Sequence, residues 1–212
     1  MSRSPTIRIH KGDLPDLERY SGSAFSGAVA IDTETLGLDP HRDRLCVVQL
    51  SPGDGSADIV QIAKGQTSAP NIERLVTDPD VQVLYHFGRF DIAVVDHAFG
   101  ALATNVFCTK IASKLVRTYT DRHGLKDLAR ELLGVEISKQ QQSSDWGADE
   151  LSDAQVQYAA SDVLYLHGLR DVLVERLERE DRLQMARTCF DFLPTRARLD
   201  LAGWPDDIFA HS

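Results

Sequence analysis

The chain has 212 residues, 42% of them hydrophobic, which suits one domain of ordinary size with a buried core. Its formal net charge of −9 argues against a tight, extended grip on a long polyanion, for which a basic face is usual. No apolar run has the length of a membrane span or the position of a signal peptide, and Cys46, Cys108 and Cys189 are odd in number and far apart, so neither a disulfide framework nor a zinc site is expected and the setting reads as reduced and cytoplasmic.

An alternating stretch follows Met1–Pro5. Ala28 to Asp32 reads as a buried strand, Leu45 to Leu50 as a second and Ala57 to Ile62 as a third, with Pro52-Gly53-Asp54-Gly55 as the turn between the last two. Val81 to Tyr85 is a fourth strand. Helical patterns cover Asn71–Val76, Phe90–Ala98, Thr109–Val116 and Leu125–Leu133, the last closed by Gly134. A three-strand meander followed by alternating helices and strands predicts an α/β domain with a mixed sheet. The best-defined helix starts at Ser152, where Ser152 and Gln155 form a capping-box pattern. Val156, Ala159, Val163, Leu166, Leu169, Leu173 and Leu177 then recur at helical spacing. After about Arg182 the pattern loosens, and Phe190, Phe192, Trp204 and Phe209 sit among Pro194, Arg196, Arg198 and Pro205. Exposed aromatics cost solubility, so a tail over about 190–212 is expected to pack on the domain or on a neighbouring subunit. No repeat or linker divides the chain, and residues 1–212 are expected to form one domain with its core over about 28–177.

Asp32 and Glu34 end the first strand. Residues two apart on a strand share a face, so an apolar strand closes on two carboxylates pointing the same way. A hard divalent cation neutralises such a pair; the plainer reading is a strand end with Asp32 capping a turn. Asp91 follows the fourth strand, in His86-Phe87-Gly88-Arg89-Phe90-Asp91. It reads either as a site residue, as strand ends in α/β folds often supply, or as an acid on a helix dipole. Tyr158 and Asp162 share a helix face one turn apart, as a site pair or as a hydrogen bond at the edge of the core. The case for chemistry is the set: four acids and a tyrosine, each placed to converge on one cleft. An acidic chain fits phosphate chemistry when bound cations supply the positive charge, and it leans toward short substrates.

Asp-Thr-Glu at 32–34, His-x-x-x-Phe-Asp at 86–91 and Tyr-x-x-x-Asp at 158–162 resemble, in order and spacing, the three motifs of the tyrosine-type DEDD exonuclease superfamily. From Ala28 to Leu177 the chain is similar to ribonuclease D, with Ser144-Asp145-Trp146 and the run from Leu151 to Leu166 closely alike. The C-terminal helical domain of ribonuclease D is not expected, because the chain leaves no room for it. Nearly the whole chain resembles the nano-RNase C family, through Asp43 to Gly55, Thr118 to Lys126, Ser138 to Trp146 and Phe192 to Ala197. The resemblance implies a ribonuclease H-like α/β fold, a mixed sheet flanked by helices. It implies 3′-5′ exonucleolytic hydrolysis of short single-stranded RNA, dinucleotides included, and a homo-octameric ring. It also implies two divalent cations, Mg2+ or Mn2+, on Asp32, Glu34, Asp91 and Asp162, with Tyr158 positioning the attacking water.

Thr35 and Leu36 are expected at the terminal sugar and between the bases, with plain turn packing an equal reading for Leu36 and Leu38. His86, Arg89, Lys110, Lys139, Gln142 and Ser143 are polar groups near the motifs, suited to holding the substrate or capping its 5′ phosphate. Arg89, two residues before Asp91, is the first candidate for that cap. Arg117, Arg122, His123 and Lys126 either draw in RNA or, the favoured reading, form a solvated helix face. A DNA-directed exonuclease would use the same metal site, since sugar selection rests on contacts to the 2′-hydroxyl. An inactive nucleic-acid-binding module would be favoured by loss of an acid, and all four are present. The absence of Gly-x-Gly-x-x-Gly after the first strand argues against a dinucleotide-cofactor enzyme.

Overall fold

The computed structural model describes residues 5–211 except Lys139 and Gln142. The alternating N-terminal stretch becomes β1 (Thr6–Lys11), an edge strand none of whose residues is fully buried. The apolar runs become β2 (Ala28–Thr35), β3 (Leu45–Ser51) and β4 (Ser56–Gln61), which pair as the expected antiparallel meander. Every residue of β3 is buried, the polar Gln49 and Ser51 included. β5 (Gln82–Tyr85) runs parallel to β2, and β6 (Val106–Cys108) lies parallel beyond it. With β1 parallel to β4, the mixed sheet has six strands in the order β1-β4-β3-β2-β5-β6. β6 is not visible in the sequence pattern because three residues carry too little periodicity.

The helical patterns correspond to α1 (Pro70–Thr77), α2 (Arg89–Phe99), α3 (Thr109–Val116) and α4 (Leu125–Leu128). A π turn over Ala129–Leu133 extends α4 and stops at Gly134 with φ 68°. The capping box at Ser152 is reciprocal: the Gln155 backbone N–H donates to the Ser152 hydroxyl, and the Ser152 backbone N–H donates to the Gln155 side chain. It opens α5 (Asp153–Leu164), which lies against β2, β3 and β4. The stripe that reads as one helix to Leu177 bends at Tyr165 (φ −106°, ψ −5°) and continues as α6 (Leu166–Arg179). The apolar spacing survives the bend, so periodicity does not reveal it.

The bend seats His167, whose Nε2–H donates to the Ala28 carbonyl at 3.0 Å. Gly53, in the β3–β4 turn, takes φ 88° and packs so closely that a Cβ there would lie 2.7 Å from the His167 ring. Beyond Arg182 the loosened pattern is a 19-residue helix, α7 (Leu183–Leu201), running through Pro194. Proline inside a helix loses a backbone hydrogen bond. Packing offsets this: Ala186, Phe190, Leu193, Pro194 and Ala197 are buried, α7 lies on α2 and β6, and the Phe190 ring centroid is 4.7 Å from that of Phe107. Trp204 and Phe209 remain exposed, Phe209 against Phe192 with ring centroids 5.7 Å apart. Among the described residues no helix is long and apolar enough to cross a membrane.

Gly53→Ala is expected to cost about 2–4 kcal/mol, combining a left-handed backbone with a clash at His167. Denaturant titration measures it; a loss under roughly 1 kcal/mol would mean the turn yields freely.

Candidate active site

β2 carries Asp32 and Glu34 out of its buried apolar half onto one face of the sheet. The β2–β3 register shifts between Glu34 and Thr35, the kind of bulge that re-aims side chains beside a site. α2 starts within four residues of the end of β5 and sets Asp91 in its first turn. α5 sets Tyr158 and Asp162 one turn apart. Carboxylate oxygens of Asp32, Glu34 and Asp162 lie within 4.8 Å of one another. Asp91 is 5% exposed and accepts a hydrogen bond from the Thr33 hydroxyl at 2.7 Å.

Burial pushes Asp32, Glu34 and Asp91 toward their protonated forms, and neighbouring carboxylates add to the effect on Asp32 and Glu34. Asp32 is raised well above the usual carboxylate range by burial, then by Asp91, Asp162 and Glu34. Glu34 is pushed up to about 9 by burial, then by Asp162 and Asp91. Burial raises Asp91 to about 6, with the Thr33 hydroxyl opposing part of the rise. The Tyr158 phenol is raised by burial, then by Asp162, Glu34 and Asp32, with a hydrogen bond to Asp162 adding to the effect. It is therefore a neutral hydroxyl in the working pH range.

Such a donor set, all oxygen and all acidic, fits hard divalent cations. Two neighbours support the fit. The Tyr85 hydroxyl is buried near Asp91 and Asp32, and Gln49 faces Asp32 across the β2–β3 ladder. Neither side chain has a hydrogen-bond partner among the described residues. Buried polar groups of this kind are rare, and ordered water or a bound ion commonly completes them.

The acids floor a cleft of about 940 Å³. Of the residues expected at the substrate, Thr35, Leu36, His86, Lys110 and Ser143 line it. His86 Nδ1 is hydrogen-bonded to the Thr109 hydroxyl at 2.9 Å, and that hydroxyl also reaches the Tyr85 carbonyl at 3.2 Å. Arg89 departs from expectation. It makes a bidentate ion pair with Asp200 of α7, at 2.6 Å in both contacts, and also donates to the Pro205 carbonyl. Residues two apart on a helix face different ways, so Arg89 cannot follow Asp91 into the cleft. Lys139 and Gln142, also expected at the substrate, lie outside the described residues.

Arg117 departs too. It is not on a solvated face but 0% exposed, donating to Glu131, to Ser113 at 3.0 Å and to the Arg122 carbonyl at 2.6 Å. Its neighbour along that loop, Lys126, does line the cleft. Sequence reasoning passed over Thr33 and Phe87. Thr33 stands between two acids with only its hydroxyl as a clue, and Phe87 sits in an apolar-rich motif where an aromatic ordinarily means core.

A family model described as 3′-5′ exonuclease matches residues 16–178. A ribonuclease D of Gluconacetobacter diazotrophicus is 38% identical over 155 residues, 73% of this chain and 39% of that protein. The chain thus spans about two fifths of the length of such curated relatives. A DNA polymerase I of Aquifex aeolicus is 33% identical over 196 residues, covering 84% of this chain and 32% of that one. The solved structure of Brucella melitensis NrnC is 64% identical, covers 98% of this chain and 99% of its own, and superposes with a TM-score of 0.94. The same protein has been solved with bound Mg2+. It has also been solved bound to pGG, at 63% identity over 99% of this chain and 100% of that one, with a TM-score of 0.94.

The raised carboxyls set the sign of a pH effect. Glu34 titrates at about 9 in the folded, metal-free protein against 4.5 for an unperturbed glutamate. The folded state therefore binds more protons than the unfolded chain between those values, and stability falls as pH rises through that window. A divalent cation takes the place of those protons. The rise in Tm on adding Mg2+ is expected to be several degrees near the top of the window and close to nil near its bottom. Thermal melts with Mg2+ or chelator measure it, and equal shifts at both ends would put the cation elsewhere.

Proposed function

This chain belongs to the 3′-5′ exonuclease family, and from that premise we propose that it hydrolyses short oligoribonucleotides, dinucleotides included, from the 3′ end to 5′-mononucleotides. The observation that carries the proposal is the convergence of Asp32, Glu34, Asp91, Asp162 and a neutral Tyr158 on the floor of one cleft. The preference for short RNA is supported by the high identity to Brucella melitensis NrnC, which binds pGG. It is also supported by a cleft whose basic lining, among the described residues, is limited to His86, Lys110 and Lys126. Affinity for a long backbone grows with each phosphate neutralised, so a sparse lining favours a short ligand.

Mg2+ or Mn2+, when bound, polarises the scissile phosphate and activates the attacking water. Asp32, Glu34 and Asp162 would hold the cations, with Asp91 kept in place by Thr33. Tyr158, tied to Asp162, orients the water rather than taking its proton, because its phenol stays protonated. Thr35, the last residue of β2, and Leu36, just past it, would meet the terminal sugar and separate the bases. His86, Lys110 and Ser143 would meet the substrate's polar groups, with Lys139 and Gln142 as candidates for its 5′ phosphate.

The whole chain reads as one exonuclease domain, its core over about 28–177 closed by α7 and the tail. The exposed Trp204 and Phe209 read as surface covered in a homo-oligomer, an octamer by the nano-RNase C resemblance. The three free cysteines suit the reducing cytoplasm. The relative of DNA polymerase I type favours one alternative, a DNA-directed exonuclease on the same metal site.

The test is a time course with Mg2+ on a 5′-phosphorylated diribonucleotide, a longer RNA and a matching DNA, with chelator as control. The diribonucleotide is expected to disappear fastest, and chelator to stop all cleavage. Faster loss of the longer RNA or of the DNA would move the protein toward general trimming or repair, and no cleavage would leave a binding module. Tyr158→Phe is expected to lower kcat roughly 100-fold with KM nearly unchanged. A variant within a few-fold of the parent would remove the tyrosine from the mechanism.

A further inference from the structure

Between β5 and α2 the chain reverses in three residues, His86, Phe87 and Gly88. Gly88 lies hard against the Tyr85 ring, where a Cβ would approach to 2.6 Å. Phe87 absorbs the reversal with φ 70°, in the left-handed region that aromatic residues rarely occupy. The same residue is 48% exposed, and its ring lines the cleft rather than the core. Two penalties thus fall on one residue, a strained backbone and an apolar ring in water. Glycine or asparagine would relieve both, which makes the ring itself the feature to explain. Lys110, at the start of α3, holds its ammonium 4.3 Å from the ring centroid. Leu36, 55% exposed, presents a second apolar surface to the same cleft.

We infer that Phe87 is a stacking platform for one nucleobase of the substrate, on the ring face that Lys110 does not cover, with Lys110 placed to meet the adjoining phosphate. The inference rests on the reading of the cleft as an oligonucleotide site. Every base has a π face, so a ring of this kind registers that a base is present without selecting which. The ammonium over the ring is already held by a cation–π contact, so it is ordered before a phosphate arrives. A base fixed at a residue four before Asp91 ties the register of the substrate to the acids that handle its phosphate. A tight turn alone could force the positive φ, and the two accounts differ in what the ring contributes to binding.

The test measures the Kd, by calorimetry with Mg2+, of a 5′-phosphorylated diribonucleotide carrying a non-hydrolysable linkage, together with two analogues that each lack one base. The proteins are the parent, Phe87→Gly and Phe87→Tyr, each also followed by thermal melting. Phe87→Gly is expected to weaken the intact ligand roughly 10- to 100-fold while its Tm stays level or rises. Phe87→Tyr is expected to bind within a few-fold of the parent. The Phe87→Gly penalty should vanish on one of the two analogues, the one missing the stacked base. Unchanged binding by Phe87→Gly, or a penalty equal on all three ligands, overturns the inference and leaves the exonuclease reading intact. Failure of the parent to bind the diribonucleotide overturns the short-RNA reading, and this inference falls with it.

Discussion

Asp32, Glu34 and Asp162 bring their oxygens within 4.8 Å of one another, with Asp91 beside them, and like charges so close in partly dry protein cannot all stay ionised without a cation. A group that repels itself stays together only where the surrounding structure fixes each member independently. β3, buried along its whole length, backs β2 and its two acids. The Thr33 hydroxyl catches Asp91. The capping box at Ser152 fixes the start of α5, which carries Tyr158 and Asp162. Three separate elements therefore deliver the acids, and none depends on another acid for its own position.

The support extends to residues far from the motifs. Arg89 and Asp91 share the first turn of α2 but face apart, Asp91 toward the site and Arg89 toward Asp200. Arg196 donates to the same carboxylate at 2.8 Å, so Asp200 joins α2 to α7. The end of α7 also holds the loop between β2 and β3, where the His41 ring meets the Leu201 carbonyl at 3.0 Å. That loop contains Leu36 and Leu38. A helix outside the acid-bearing motifs thus steadies both the helix that carries an acid and the rim beside the cleft. This accounts for a helix that continues through Pro194, since its buried face outweighs one missing backbone bond.

The parts of this arrangement that show in the sequence are those governed by local rules. Alternation and apolar runs reveal β2, β3 and β4, and the Ser152–Gln155 pair reveals a helix start, because each signal lies within a few residues. The acids show because Asp-Thr-Glu and Tyr-x-x-x-Asp have the spacing that places side chains on one face of a strand or helix. What does not show depends on tertiary partners. Arg117 looks like a surface charge, yet Glu131 and the Arg122 carbonyl bury it completely. Arg89 looks like a substrate contact until Asp200, distant in sequence, claims it. The bend at Tyr165 is silent because the stripe resumes in phase on α6. Phe87 is the instructive case: an aromatic beside a strand ordinarily means core, and only the positive φ and the open cleft reveal otherwise.

The division between regular elements and loops separates chemistry from selection. On the proposed reading the acids meet only a phosphodiester, a group that RNA of every length shares with DNA. They stand on β2, α2 and α5, where the backbone is fixed by its own hydrogen bonds. Leu36, Leu38, Phe87 and Gly124 stand in connecting segments, where a substitution disturbs the scaffold least. One such segment, the loop around Arg117, turns on a fully buried guanidinium, so its far end at Gly124, Leu125 and Lys126 reaches the cleft wall in a defined position. The 3′-5′ exonuclease family model that matches residues 16–178 therefore speaks to the floor of the cleft, and on the proposed reading the choice of substrate is a matter of its walls. A change of substrate would be sought in those walls, because moving any acid would disturb the balance of charge on which the whole site rests.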